Sequence, residues 1–338
     1  MNIKDIAAMA GTSVATVSRV INCSERVAVH TRKRVLEVFS ATGYRPDLAE
    51  RALKGKEKDK ILILLPSIAN PFFAQVVDGI EQHAGANGYD SLICITHRDI
   101  ETEKRYMDLV RFGLVKGLLF FTSTVSDSEL EVIASKYPVV QCGAHVSDSK
   151  YISYSCIDNV AASCEAVSHL IALGNERIAI INGPFRRPYE TERHTGYLQA
   201  LIANGIDPIQ SYMETCDYNH YEASVACARL MSLATPPTAL FCSSDQMAAG
   251  AMKFLVEKGL VPGEDVDVIG FDGTFLSEMY TPSITCIEQP GNEMGKTAFG
   301  LLLERIEDNQ VIVKKVVLPH KLILRQSTKK PSLILKKA

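Results

Sequence analysis

The chain has 338 residues, of which 46% are hydrophobic and 22% charged, and its formal net charge is −3. This length allows a large buried core and predicts two or three domains of ordinary globular composition. No apolar run reaches the roughly 18 residues of a membrane-spanning helix, and the N-terminus lacks the features of a signal peptide. We therefore expect a cytoplasmic protein and exclude a membrane protein and a secreted one.

Residues 3–22 predict two short helices joined by a tight turn. Apolar residues recur at helical spacing in the first helix, Gly11 ends it, and Ser13 is a good N-cap for the second. The inner face of the second helix is Val17, Val20 and Ile21, whereas its outer face carries small and hydrogen-bonding residues. Such a face suits the major groove of DNA. The predicted contacts there are Thr12, Ser13, Val14, Ala15, Thr16, Ser18, Arg19 and Asn22.

A third helix is predicted from a cap at Thr31 to about Thr42, and Arg32 in its first turn is a further predicted DNA contact. Residues 1–60 hold 12 Lys and Arg against 7 Asp and Glu, whereas the remainder holds 24 against 32. A basic head on an acidic body indicates nucleic-acid binding by one end only. The alternative is a small helical cap whose polar face is merely solvated.

The head resembles that of the LacI/GalR family of bacterial repressors. Four motifs carry the resemblance: Asp5-Ile6-Ala7, Ala10-Gly11, Thr16-Val17-Ser18-Arg19-Val20-Ile21-Asn22 and Gly43-Tyr44-Arg45-Pro46. The resemblance implies a helix-turn-helix domain over residues 1–45 and a hinge helix with linker over 46–59. It also implies that Leu53 wedges into the minor groove, although Asp47 and Glu50 depart from the family's usual residues there. The alternative for this segment is a plain tether.

From Lys60 onward, apolar strand-like runs alternate with amphipathic helices. This alternation predicts parallel sheets covered on both faces, and the fold class is α/β with two doubly wound subdomains below a small all-α head. The predicted strands are 61–65, 91–96, 117–121, 138–142, 177–182, 238–242, 266–270 and 284–287, and residues 316–325 also have strand character. The predicted helices include 73–86, 159–173, 190–203, 221–233 and 245–257.

The N-terminal subdomain is predicted over 60–158 and 290–318, the C-terminal subdomain over 159–289 and 319–327, and a tail over 328–338. Ligands of such folds bind at the carboxyl ends of strands, so two facing subdomains predict a ligand cleft. The body is also similar to periplasmic sugar-binding proteins. A separate periplasmic binding module is not expected, because the chain has a basic head and no signal peptide.

Asn70 and Phe72 follow the first body strand, and Asp272 follows the strand at 266–270. Asn and Asp side chains bind hydroxyl groups, and aromatic rings pack on the apolar face of a sugar. The likeness to sugar-binding proteins implies ligand contacts from Asn70, Phe72, Arg193, Asp245, Asp272 and Gln289. Phe73 lies beside Phe72 at the helix entry, and loop position alone adds Tyr218 and Ser244 as weaker candidates.

Each of these residues also has a purely structural interpretation. Asn70 and the two phenylalanines could form a helix entry with both rings in the core. Arg193 could form a surface ion pair with Glu190 or Glu192. Asp245 could cap its helix, and Asp272 could cap the turn that follows it.

No catalytic motif is present: the chain lacks H-E-x-x-H, G-x-S-x-G, a P-loop and a G-x-G-x-x-G after a strand. Its nine cysteines are scattered without a C-x-x-C pair, which predicts reduced thiols and no metal site. We expect no cofactor, and a sugar-modifying enzyme is the less favoured alternative.

These observations and the resemblance together predict a homodimeric, nucleoid-associated repressor of a sugar-utilisation operon. Its partners are double-stranded operator DNA and a small sugar effector, and we favour release from DNA by an inducer over co-repression. The C-terminus has no leucine heptads, so a dimer is expected and a tetramer is not. The alternative within the family is a global catabolite-type or nucleobase-responsive regulator.

Overall fold

The structure is a computed structural model that describes residues 3–21, 27–42, 58–144, 149–308 and 312–329. The predicted contacts Asn22 and Leu53, the hinge residues Asp47 and Glu50, and the end of the tail lie outside these described residues.

The head consists of three helices: α1 (Ile3–Met9), α2 (Val14–Ile21) and α3 (Val29–Thr42). Gly11 lies between the first two with φ 60°, a backbone conformation in which glycine has no steric cost. A cluster of buried apolar side chains joins the three helices, and it includes Ile6, Val17, Val35 and Phe39. α3 begins two residues before the predicted cap at Thr31, so Thr31 lies within the helix.

The first lobe of the body begins with strands and helices in alternation. In chain order they are β1 (Asp59–Leu65), α4 (Pro71–Ala86), β2 (Tyr89–Ile95), α5 (Ile100–Arg111), β3 (Leu118–Phe120), α6 (Asp127–Ala134), β4 (Val139–Cys142) and β5 (Ser153–Ile157). β5 has no predicted counterpart, because Ser153, Tyr154 and Ser155 interrupt its apolar character. Its burial comes from the neighbouring strand and from the helix packed over the sheet.

The second lobe repeats this pattern. Its elements are α7 (Asn159–Ala172), β6 (Ile178–Asn182), α8 (Pro188–Ala203), a 3-10 turn (Gln210–Tyr212), β7 (Met213–Thr215), α9 (His220–Met231), β8 (Ala239–Cys242), α10 (Asp245–Glu257), β9 (Asp267–Asp272), α11 (Phe275–Met279) and β10 (Thr285–Glu288). β7 also lacks a predicted counterpart, since three residues on a sheet edge are too few for a periodic pattern.

The chain then returns to the first lobe through α12 (Gly291–Glu307) and β11 (Lys315–Leu318), and ends in the second with β12 (Lys321–Ile323). The sequence predicts strand character over 316–325 with the boundary between the subdomains after residue 318, and the structure has two short strands there. Pro319 has no N–H to donate to a ladder, and the two short strands on either side of it belong to different sheets.

Two six-stranded sheets result, one in each lobe. The strand order is β11-β5-β4-β3-β1-β2 in the first and β12-β10-β9-β8-β6-β7 in the second. All neighbours are parallel except β10 and β12. The predicted fold class is confirmed, and the carboxyl ends of the parallel strands from both lobes meet at one cleft.

Candidate functional site

The cleft between the lobes encloses roughly 670 Å³, including the space at its mouth. Three phenylalanine rings line the side that the first lobe supplies, whereas the second lobe supplies three of the four charged side chains and two tyrosine rings. We call these the aromatic wall (Asn70, Phe72, Phe73, Phe121) and the charged wall (Arg187, Arg193, Asp272, Gln289).

The start of α4 builds the aromatic wall. Asn70 caps this helix: its Oδ1 accepts a hydrogen bond from the N–H of Phe72 at 2.9 Å, and Pro71 occupies the first turn. Phe73 contacts Phe121 edge to face, with ring centroids 5.2 Å apart. The two rings at the helix entry both pack into the core and line the cleft, and their contact with a ligand stays a prediction.

Asp272 is the centre of the charged wall. Its Oδ2 accepts a hydrogen bond from Asn70 Nδ2 at 3.0 Å, and its Oδ1 accepts one from Gln289 Nε2 at 2.8 Å. The residue ends β9 with φ 110°, a strained conformation that costs about 1–3 kcal/mol and occurs mainly at functional sites. The contact with Asn70 joins the two lobes directly.

Arg193 is buried beside this carboxylate, with Nη1 3.8 Å from Asp272 Oδ1. Its Nη1 donates to the carbonyl oxygen of Ser243 at 2.6 Å and its Nε donates to Asn159 Oδ1 at 3.1 Å. The guanidinium also lies 3.7 Å from the centre of the Phe271 ring. The alternative of a surface ion pair with Glu190 or Glu192 is wrong, because these contacts fix Arg193 inside the cleft.

Burial raises the pKa of Asp272 above its ordinary value of 3.8, because removing a carboxylate from water disfavours its charged form. The Arg193 charge and the hydrogen bonds from Asn70 and Gln289 oppose that rise. The burial cost of the Asp272 charge is therefore only partly offset by its neighbours. Hydroxyl donors from a bound ligand would add to that compensation.

Asp245 is not among the cleft-lining residues, which differs from the sequence expectation. It is buried behind the charged wall, where its Oδ2 accepts hydrogen bonds from Thr274 N at 2.6 Å and Thr274 Oγ1 at 2.9 Å. Ser244, and not Asp245, caps α10, through a bond from the N–H of Met247. Burial, with the Asp272 charge second, raises the pKa of Asp245 well above 3.8. Asp245 therefore anchors the turn that follows Asp272.

Tyr218 lines the cleft, as predicted from its loop position, and contacts Tyr189 edge to face at 6.2 Å. Gly183 makes this placement feasible, since a Cβ there would lie 2.6 Å from Tyr218 Cε2. Arg187 also lines the cleft and pairs with Glu190 at 3.0 Å. Tyr189 and Arg187 were not predicted as cleft residues, although both lie at the start of the helix after β6, where a cleft residue belongs.

Arg98 is a further missed cleft residue, and it crosses to the other lobe. Its Nη1 lies 3.6 Å from Asp217 Oδ1, and both side chains are partly exposed. Thr122 and Gly143 also line the cleft. Each of these three residues follows closely on the carboxyl end of a strand of the first sheet, so strand position was the signal that could have found them.

In the head, Ser13 caps α2, with its Oγ accepting from the N–H of Thr16 at 3.1 Å. The other predicted contacts on this helix are exposed (Val14, Ala15, Arg19) or half-buried (Thr16, Ser18), as is Thr12 before it. Val17 and Val20 are buried in the head core. Arg32 is half-buried, and its charge partly opposes the rise that burial causes in the pKa of Asp108 of the body. It faces the body as well as solvent, which makes it a weaker candidate for a phosphate contact.

Among the described residues, no group of three or more His, Cys, Asp or Glu side chains could hold a metal ion. In the same part of the chain, every helix is too short or too polar to cross a bilayer.

The family model "Bacterial regulatory proteins, lacI family" matches residues 2–47. The model "Periplasmic binding protein-like domain" matches residues 167–328. The HTH-type transcriptional repressor CytR of Escherichia coli (strain K12) is 35% identical over 327 residues, which are 96% of each chain.

Two solved structures are similar along nearly the whole chain. One is a complex of the transcriptional regulator CelR with cellobiose, at 28% identity and a TM-score of 0.74, with 97% of this chain and 99% of the other covered. The other is the lac repressor dimer bound to operator and the anti-inducer ONPF, at 26% identity and a TM-score of 0.74, with coverage of 98% and 99%. The chain therefore belongs to the lacI family of bacterial regulatory proteins, and it is a transcriptional regulator and not an enzyme.

Proposed function

We propose that this protein represses a sugar-utilisation operon and that a small sugar bound in the cleft controls its affinity for operator DNA. One observation carries the effector half of this proposal. Asp272 accepts amide hydrogen bonds from both Asn70 and Gln289 while Arg193 lies beside it, so polar groups from both lobes converge on one buried carboxylate.

The chemistry of the two walls favours a polyhydroxylated ligand. A carboxylate accepts hydroxyl hydrogen bonds that are stronger than those between neutral groups. Phe72 and Phe73 offer apolar faces to the carbon skeleton of a sugar ring. The similar CelR structure holds cellobiose, which supports the same ligand class here.

The proposed mechanism is a shift between open and closed lobes. Asn70 and Asp272 bond across the cleft, and Arg98 and Asp217 pair across its rim, so closure brings these groups together. A ligand that contacts both walls favours the closed state and shifts the population only by its difference in affinity between states. We favour an inducer, whose binding lowers operator affinity.

The DNA-contacting surface is the exposed side of α2. Val14 and Ala15 can contact thymine methyl groups, and Arg19 can contact a phosphate or a guanine edge. One such helix reads few bases, so two heads on the half-sites of a palindrome are needed. We therefore propose a homodimer, with Leu53 of each hinge in the minor groove, acting on chromosomal DNA in the cytoplasm.

Exposed apolar side chains support self-association. Leu92 and Ile93 lie on β2, the edge strand of the first sheet, with exposures of 40% and 44%. In the second lobe, Tyr221 on α9 is 72% exposed. Light scattering should give the mass of a dimer, and a tetramer would contradict the proposal.

Binding to the protein's own upstream DNA tests the DNA half. Affinity should fall steeply as salt rises, because phosphate contacts release counterions. Arg19→Ala should weaken specific binding about tenfold, from the loss of roughly 1–3 kcal/mol of base or phosphate contact. Lys253→Ala, which removes an exposed positive charge from α10, is the matched control. Equal DNA affinities for the two variants would mean that Arg19 does not contact DNA.

A thermal-shift panel of pentoses, hexoses, disaccharides, nucleobases and nucleosides tests the effector half. Nucleobases and nucleosides belong in the panel because Tyr189 and Tyr218 place further aromatic rings on the cleft, where a flat base could stack. A binder that also changes operator affinity is the effector. A panel member that is chemically converted would instead favour an enzyme.

A further inference from the structure

The C-terminal end of α5 in the first lobe contacts the head. Phe112 follows the last residue of this helix and packs with the apolar cluster of the head. Its ring meets that of Phe39 in α3 edge to face, with centroids 6.3 Å apart. Among the described residues of that cluster, Phe112 is the only one that comes from the body.

Charged groups surround this aromatic contact. Asp108, one turn before Phe112, binds Arg111 at 2.9 Å and also lies within the electrostatic influence of Arg32 in α3. Glu37 of α3 lines the same groove as Arg111 and Lys136 of the body. Both sides of the contact therefore contribute carboxylates and cations around the same groove.

We propose that the end of α5, centred on Phe112, is a docking surface for the protein's own head. The contact holds α2 at a fixed orientation to the first lobe, in addition to the covalent connection through residues 43–57. Val14, Ala15 and Arg19 stay exposed while α3 is docked, so docking is compatible with DNA contact. A head that is already oriented loses less rotational freedom on binding, and operator affinity is therefore higher when it is docked.

The absence of tryptophan from the chain allows a direct test of docking. Phe112→Trp introduces a single tryptophan at the contact, and its fluorescence should be shielded from acrylamide in the full-length protein. Adding Phe39→Ala should expose the indole and raise the quenching constant about twofold or more. The control is Val35→Ala on the same background, because Val35 is buried in the head core away from the groove. Equal quenching in the Phe39→Ala and Val35→Ala proteins would overturn the proposal.

Hydrogen exchange of the full-length protein gives a second readout. Phe112→Ala should accelerate exchange in α3 about fivefold to tenfold, which corresponds to losing one aromatic contact, and leave exchange in β1 and β6 unchanged. Unchanged exchange in α3 would also overturn the docking surface.

The effect on DNA rests on the proposed function. Phe112→Ala should weaken binding to the protein's own upstream DNA about fivefold, although Phe112 lies outside the predicted DNA contacts. Unchanged or tighter binding would show that docking does not orient the head. Failure of the unmodified protein to bind any DNA would count against the proposed function, whereas quenching and exchange would still decide the docking.

Discussion

The two walls of the cleft are built by equivalent strand ends of similar sheets, yet they differ in chemistry. The aromatic wall packs Phe72 and Phe73 into the core of its own lobe, so its rings are held by apolar contacts. The charged wall holds Arg193 and Asp272 almost fully buried, and each is fixed by hydrogen bonds. Burying a charge that has no partner costs free energy, whereas burying apolar surface does not. The charged wall should therefore control which ligand binds, and the aromatic wall should add affinity with less selectivity.

Removing the central carboxylate should have the largest effect. Asp272→Asn replaces charge-assisted hydrogen bonds with neutral ones and offers an amide N–H where Asn70 or Gln289 already donates. We expect effector affinity, measured by titration calorimetry, to fall about 100-fold or more, equivalent to roughly 2.7 kcal/mol. Asp207→Asn, an exposed carboxylate on the same lobe, should bind normally. An affinity loss below tenfold would break the contrast between the walls.

The pH dependence of unfolding tests whether the buried carboxyl group of Asp245, behind the charged wall, lowers the stability of the protein when it is ionised. The raised pKa of this group means that the native state binds a proton more tightly than the unfolded state does. The free energy of unfolding should therefore decrease as pH rises from about 3.8 through the native pKa. Asp245→Asn removes this titration while its side-chain oxygen can still accept from Thr274. Urea unfolding between pH 5 and 8 should show a shallower decrease in the variant, and parallel curves would contradict this origin.

A substitution in the aromatic wall should lower effector affinity less than one in the charged wall. Phe72→Leu keeps an apolar side chain at the helix entry but removes the flat ring, at a cost of about 1 kcal/mol in binding. We expect effector affinity to fall about fivefold and the ranking of ligands in the panel to stay the same. Phe254→Leu, on α10, is the control for a general loss of aromatic surface. A changed ranking would mean that the aromatic wall also selects the ligand.

The rim pair between Arg98 and Asp217 should have the smallest effect, because both side chains are partly exposed and water screens their attraction. Such pairs contribute about 0.2–1 kcal/mol, which limits the change in effector affinity to roughly fivefold. A double-mutant cycle with Arg98→Ala and Asp217→Ala isolates the coupling, which should weaken at high salt. A coupling energy of zero would mean that Arg98 and Asp217 do not contribute to closure, which would leave the bond between Asn70 and Asp272.

The sequence by itself was sufficient to predict the helix-turn-helix head, the alternation of strands and helices and most of the strand positions. Each of these is encoded locally, in apolar periodicity, in caps such as Ser13, and in a stop such as Gly11. The same logic placed Asn70 and Asp272 near strand ends, because Asn70 lies in the loop after β1 and Asp272 ends β9.

Only the tertiary structure decided which of these residues meet. Asn70 and Asp272 are separated by 202 positions along the chain and bond at 3.0 Å. The sequence also predicted Asp245 as a cleft residue, but the structure buries it behind the charged wall, where it accepts hydrogen bonds from Thr274. β5 and β7 owe their strand conformation to pairing with neighbouring strands, and the contact of Phe112 with Phe39 joins two domains. Such interactions depend on the packing of distant segments, which no local pattern of side chains specifies.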